Sequence, residues 1–280
     1  MDLSGFDLMP YLPSMILLLV TGAVAGLLAG MLGVGGGIVI VPVLFNLFGI
    51  LALPDQSAMH VAVGTSLATI VPTSIASMRS HFKRGSVDMD LLKVWVIPVF
   101  IGSALGALIS AYVSGVVLST VFAVIATLVS LNMISREGLK VADTLPEGKA
   151  ANGGLAFGIG TFSAMMGIGG GTLTVPTLSA FNYDIRKAVG TASAIGLAIS
   201  IPGAIGFIWS GQGAPDLPPL SFGYVNLVGF LLIFPATVLT APIGARIAHS
   251  INRVWLRRCF ALFLGVTAIR MFIRLIEATM

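Results

Sequence analysis

The chain has 280 residues, of which 56% are hydrophobic and only 9% charged, and its mean hydropathy is +1.02. Soluble domains carry about a quarter charged residues, so the composition excludes a soluble globular domain, and it equally excludes a charge-rich disordered chain. The formal net charge of +4 comes from bases in short connections between apolar runs, with no basic run interleaved with aromatics, so the partner expected is the lipid bilayer and not nucleic acid.

Apolar runs predict segments over 13–33, 36–51, 58–78, 90–113 and 115–135. A polar connection over 136–151 follows, and then segments over 152–167, 170–183, 188–210, 221–246 and 254–277. Asp2 and Asp7 leave the chain without a basic leader region, so the first run is not expected to be a signal peptide. The fold class expected is an all-α polytopic membrane protein, with multi-pass placement in the cell inner membrane. The lone Cys259 excludes an intramolecular disulfide, and His60, His81 and His249 are too far apart for a local zinc motif. No metal and no cofactor are expected.

The two halves of the chain repeat one another. Met31-Leu32-Gly33-Val34-Gly35-Gly36-Gly37 aligns with Met165-Met166-Gly167-Ile168-Gly169-Gly170-Gly171, and Val41-Pro42 with Val175-Pro176 at the same offset. Ala62-Val63-Gly64-Thr65 matches Ala188-Val189-Gly190-Thr191, Gly106-Ala107 matches Gly244-Ala245, and Phe122-Ala123 matches Phe260-Ala261. The order of the blocks is kept, as in a duplication. The expected domains are a first transmembrane repeat (1–140), a polar linker (141–151) and a second repeat (152–280), each of about five segments.

Loop charge gives orientation. Arg79, His81, Lys83 and Arg84 precede the fourth segment, whereas the equivalent connection, Gly211 to Leu220, carries only Asp216. Pro54-Asp55-Gln56 precedes the third segment, and its counterpart is Asp184-Ile185-Arg186-Lys187. The connection Tyr112 to Gly115 is uncharged, while its counterpart holds Arg246, Arg253, Arg257 and Arg258. Bases mark the cytoplasmic side, so the two repeats are expected to be inverted, a recurring transporter plan. The second segment of each repeat is too short for the roughly 20 residues a span needs. Each repeat is therefore expected to begin with a Gly-broken hairpin, either re-entrant or made of short tilted spans.

Gly33, Gly35, Gly36 and Gly37, and Gly167, Gly169, Gly170 and Gly171, each open a short apolar helix. Consecutive glycines let several N–H groups converge, and a helix N-terminus adds positive potential, which together form an anion site. Gly22, Gly26 and Gly30 recur every four residues and are expected to pack against a neighbouring helix instead. Pro42 and Pro176 are expected to kink the helices that follow the Gly runs. Thr172 follows the second run directly and is a candidate donor. Thr65, Ser66, Thr191 and Ser193 begin the third segments, where their hydroxyls could serve an anion or bond to their own helix carbonyls. All eleven acidic residues lie at segment edges, in connections or near the termini. That disfavours a carboxylate proton relay or a sodium site. Lys93, Arg270 and Arg274 fall inside apolar runs; Arg270 and Arg274 share a face near a helix end and are expected to snorkel, and His60 is expected at an interface. Hydrolase, metalloprotease and nucleotide-binding motifs are missing from the sequence, so no enzyme is expected.

The run Gly26-Leu27-Leu28-Ala29-Gly30-Met31-Leu32-Gly33-Val34-Gly35-Gly36-Gly37 through Val41-Pro42 resembles the sulfite exporter TauE/SafE family, also called the toluenesulfonate uptake permeases. So do Gly64-Thr65-Ser66-Leu67, His81-Phe82-Lys83-Arg84-Gly85-Ser86-Val87-Asp88, the second Gly run, Pro242-Ile243-Gly244-Ala245-Arg246 and Leu256-Arg257-Arg258-Cys259-Phe260. The resemblance spans nearly the whole chain. It implies an inner-membrane secondary transporter of sulfite, sulfonates or related small organosulfur anions, with export the expected direction. Alternating access around two helix N-termini that cradle the anion is the expected mechanism. A passive anion channel is the alternative, and a homo-oligomer is compatible with either.

Overall fold

Apolar runs of this length satisfy their backbone polar groups within helices, the solution that a hydrocarbon solvent demands. The computed structural model describes residues 12–51, 53–134, 141–146, 148–250 and 252–279. Asp2, Asp7, Arg136, Glu137, Lys140 and Glu147 lie outside the described residues, as do the side chains of Asp55, Lys149, His249, Arg253, Leu256, Arg257, Cys259, Phe260, Arg274 and Glu277.

The chain forms α1 (Leu12–Leu32), α2 (Gly37–Ile50), α3 (Asp55–Phe82), α4 (Met89–Tyr112), α5 (Gly115–Ile134), α6 (Lys149–Met166), α7 (Gly171–Ala180), α8 (Ile185–Ser210), α9 (Leu227–Ser250) and α10 (Arg253–Thr279). Among the described residues, six stretches are long and apolar enough to cross a membrane: Leu12–Leu32, Ser57–Phe82, Met89–Tyr112, Gly115–Ile134, Ile185–Ser210 and Leu227–Ala248. The protein is an all-α, multi-pass membrane protein. As the sequence implied, α2 and α7 are short, at 14 and 10 residues.

Several boundaries differ from the sequence reading by a few residues, and two of these differences have a physical reason. Helix α3 runs to Phe82 and takes Arg79 and His81 into its last turn, where bases favour the negative end of the helix dipole. Helix α9 starts at Leu227 and not near 221, because Ser221–Phe222 (β1) and Val225–Asn226 (β2) form a small antiparallel hairpin first. Its two-residue turn, Gly223-Tyr224, has Gly223 at φ 56°, a conformation suited to glycine in a tight hairpin.

Helix α1 packs on α9 and α4 on α6, while α3 packs on both α8 and α9, α4 also on α8, and α5 on α10. Small residues set these crossings. A side chain at Gly22 would lie 2.6 Å from the Ile233 carbonyl, and one at Gly30 would lie 2.6 Å from Ala245 N. On the other pair, Gly160 faces Val99 and Gly106 faces Thr161 equally closely. Hydroxyls join the remaining helices, as expected where no water competes: Ser103 Oγ donates to Ile199 O (2.6 Å), Ser130 Oγ donates to Ala261 O (2.7 Å), and Thr73 and Thr237 share a bond of 2.6 Å. The outward faces are hydrocarbon, with Ile97, Ile101 and Leu108 exposed on α4 and Leu128 and Leu131 on α5. Tyr112 and Trp209 stand exposed at the ends of α4 and α8, where aromatic side chains meet the headgroup layer.

The connections gather by charge. Tyr183, before α8, donates a short hydrogen bond to the Asp88 carboxylate before α4, so Lys83, Arg84, Arg186 and Lys187 share one end of the bundle. The His81 ring donates to the Gly30 carbonyl (2.8 Å), and Gly30 faces Ala245, which brings Arg246 to the same end. At the other end Ser57 Oγ lies 3.5 Å from the Pro215 carbonyl, next to Asp216.

Candidate functional site

Both Gly runs are fully enclosed by protein. Gly33, Gly35, Gly36 and Gly167 have φ of 68°, 69°, 83° and 67°, which other residues rarely adopt, and these values let each chain reverse between a long and a short helix. The two runs touch. A side chain at Gly35 would lie 3.2 Å from the Gly169 Cα, Gly37 abuts the Gly167 carbonyl, and a side chain at Gly171 would lie 2.5 Å from the carbonyl carbon of Gly33.

Their depth follows from their neighbours. Gly35 and Gly37 face Ile70 and Ser66, near the mid-point of α3, and Gly170 faces Ala192, Ile195 and Gly196, near the mid-point of α8. Helices α2 and α7 therefore begin halfway along two spanning helices. Pro42 and Pro176 lie inside them.

Neither short helix has a side-chain cap at its N-terminus. By contrast, α4 and α8 begin at the bundle's end with Asp88 and Asp184, each of which accepts from two main-chain N–H groups at 3.0 Å. The first N–H groups of a helix have no partner within it. The sequence thus caps two helices at the charged end of the bundle; α3 and α6 also lack a side-chain cap, but of the uncapped starts those of α2 and α7 are the ones in the interior.

The other candidates divide. Ser66 belongs to the meeting point, since its hydroxyl donates to Gly167 O at 2.7 Å. Thr172 is buried in the first turn of α7, and its hydroxyl has no hydrogen-bond partner in the protein. The Thr65 hydroxyl accepts from Asn226 N and the Thr191 hydroxyl from Asp88 N, both at 2.9 Å, so these two tie α3 and α8 to the starts of other helices. Ser193 donates to Gly190 O (2.6 Å) within α8.

Three groups escaped the sequence reading. Ser74, Ser163 and Thr174 are buried, and their hydroxyls also lack a hydrogen-bond partner in the protein. Serine and threonine are common in apolar helices, and only tertiary packing singles these out. His60, near the start of α3, is 2% exposed and so enclosed by protein. Its ring lies 4.9 Å from that of Tyr224 and donates to the Ser110 carbonyl (2.9 Å).

Among the described side chains, no Lys, Arg, Asp or Glu is buried. Lys93 is at the surface with Asp90 (3.1 Å), and Arg270 is exposed. No group of three His, Cys, Asp or Glu that could hold a metal ion occurs among the described residues. Outside the helices, the Leu91 N–H and then the Tyr183 hydroxyl hold the Asp88 carboxyl below its usual pKa, and burial followed by the bond to Asp88 pushes Tyr183 up.

The family model of the sulfite exporter TauE/SafE proteins matches residues 18–271. The chain belongs to this family. Similar proteins include a "Probable membrane transporter protein" of Haemophilus influenzae, 35% identical over 92% of this chain and 98% of the relative. "Probable membrane transporter protein YunE" of Bacillus subtilis is 30% identical over 86% and 89%. A further probable membrane transporter protein, from Methanocaldococcus jannaschii, is 26% identical over 96% and 98%. No solved structure matches. Membership makes the chain a membrane transporter by family.

Proposed function

We propose that this TauE/SafE-family member is a secondary carrier in the inner membrane that moves sulfite or a small organosulfur anion such as a sulfonate, with export as its direction. It works by alternating access, and the N-termini of α2 and α7 cradle the anion.

The carrying observation is that these two uncapped helix starts meet at mid-depth in an interior with no described charged side chain. Convergent N–H groups and helix dipoles favour an anion there, and no carboxylate repels it. Enclosure of both runs supports a carrier over a continuous pore, because a solute reaching them needs the bundle to open on one side at a time.

Residues 1–140 and 152–280 act in this reading as inverted repeats rocking about the shared centre. The contact pattern supports it. Helix α1 on α9 and α6 on α4 are the same pair with the halves exchanged, as are α3 on α9 and α8 on α4. Gly33 facing Val189 and Gly167 facing Val63 repeat the exchange residue by residue.

A thermal-shift screen of the purified protein against sulfite, sulfoacetate, taurine, sulfate and formate tests the substrate class. Stabilisation by sulfite or a sulfonate is expected, since a ligand that binds only the folded state raises its stability. Stabilisation by formate alone, or by none of these, contradicts the reading.

A further inference from the structure

The two halves of the centre match in backbone but not in chemistry. Directly after the first Gly run come Ile38 and, two residues on, Ile40; at the same distances from the second run stand Thr172 and Thr174. On the third helix of each half, Ile70 occupies the position that Gly196 holds in the other. The Ile70 side chain lies across the first run, with Cγ2 2.7 Å and Cδ1 2.9 Å from where side chains at Gly35 and Gly37 would be. At Gly196 there is no such cover. The Ser74 hydroxyl and the Gly170 N–H border the place its side chain would fill, at 2.8 and 3.4 Å.

Ser74, Ser163, Thr172 and Thr174 are each at least 99% buried, and their hydroxyls lack partners in the protein. A buried polar group without a partner is costly, so such groups are rarely kept without use. Thr172 and Thr174 lie in the first turn of α7, the helix whose N-terminus is uncapped, and Ser74 reaches the main chain at Gly170.

We propose that within this two-helix cradle the second Gly run's side supplies all the side-chain donors to the charged group, the first run contributing main chain only. Thr172 and Ser74 donate hydroxyl hydrogen bonds alongside the N–H groups at the start of α7, and the Ile70 side walls the substrate with hydrocarbon. This rests on the carrier reading and sharpens it. All donors named are neutral, and the helix dipole supplies only about half a charge. Desolvation rises steeply with ionic charge, so the site takes a singly charged oxyanion with a small apolar tail, such as an alkanesulfonate, and rejects a dianion such as sulfate.

Binding of methanesulfonate, sulfate, formate and nitrate to the purified full-length protein, measured by calorimetry, tests this. Thr172→Val and Ser74→Ala are expected to weaken methanesulfonate about ten- to a hundredfold, the loss that accompanies removal of a hydrogen bond to a charge. Thr172→Ser retains affinity within about threefold, which separates a lost donor from a misfolded site. The counterparts Ile38→Val and Ile40→Val leave affinity within the same range, and sulfate does not compete. Equal losses in the Ile38 and Thr172 variants, no loss in Thr172→Val, or tighter binding of sulfate overturns the asymmetric site while the carrier reading stands. Binding of formate or nitrate through Thr172 with no sulfur anion bound overturns the substrate reading and leaves the site standing. Binding of none of the four overturns both.

Discussion

Gly35 and Gly169 touch reciprocally: the Cα of Gly169 lies 3.2 Å from the side-chain position of Gly35, and the Cα of Gly35 lies 2.9 Å from that of Gly169. Two helix reversals from opposite halves of the chain thus meet backbone to backbone. Alanine at Gly35 combines left-handed backbone strain of about 1–2 kcal/mol with overpacking of about 1–3 kcal/mol. Gly35→Ala and Gly169→Ala are expected to lower the unfolding midpoint in detergent sharply. Gly154→Ala, in α6 with nothing within 4 Å, is expected to be neutral or stabilising by up to about 1 kcal/mol. Equal midpoints for all three would show that the runs do not need the close approach.

The hydroxyls of Thr65 and Thr191 take the main-chain N–H groups of Asn226 and Asp88. Replacing either by valine leaves that N–H unpaired at the start of α9 or α4. Thr65→Val and Thr191→Val should each cost about 1–3 kcal/mol of stability. Thermal unfolding checks the loss, and an unchanged midpoint would mean that these bonds carry no weight.

The Asp88–Tyr183 pair predicts a pH response. Asp88 titrates below its ordinary 3.8, so its contribution is complete above that value and disappears as pH falls through the lowered folded value. Tyr183 titrates above its ordinary 10.0, so its contribution is present below that value and is lost only as pH rises through the raised one. The difference in unfolding midpoint between wild type and Asp88→Asn is expected to be constant from about pH 5 to 9 and to shrink in more acidic buffer. A difference that changes near neutrality would contradict the assignment.

Charge at the two ends predicts topology. In a Cys259→Ser background, single cysteines replacing Arg84 or Arg186 should react with an impermeant maleimide only from the cytoplasmic side, and one replacing Gln212 only from the opposite side. Labelling of the Arg84 and Arg186 positions from different sides would remove the inverted arrangement.

Much of this was legible in the sequence because a bilayer solvent allows so few structures. Once hydrocarbon excludes open sheets, runs such as 90–113 and 115–135 can be little other than α4 and α5. The Gly runs were visible because Gly36 and Gly167 each meet a backbone demand that other residues meet poorly. The hairpin before α9 was hidden, since Phe222 and Val225 read as ordinary members of an apolar run. That Ser74 and Thr174 are buried without a partner was hidden for a deeper reason. A hydroxyl in a helix is ordinary until tertiary packing denies it a partner, and Ser74 comes to face Gly196, more than a hundred residues away.

The most direct test is counterflow of a radiolabelled sulfonate in proteoliposomes of the purified protein. The account predicts that unlabelled sulfonate on the far side accelerates flux of the label, and that Thr172→Val, still folded, loses this flux at low substrate concentration. Flux that is indifferent to the far-side sulfonate would point to a channel, and no protein-dependent flux at all would contradict transport of this class of anion.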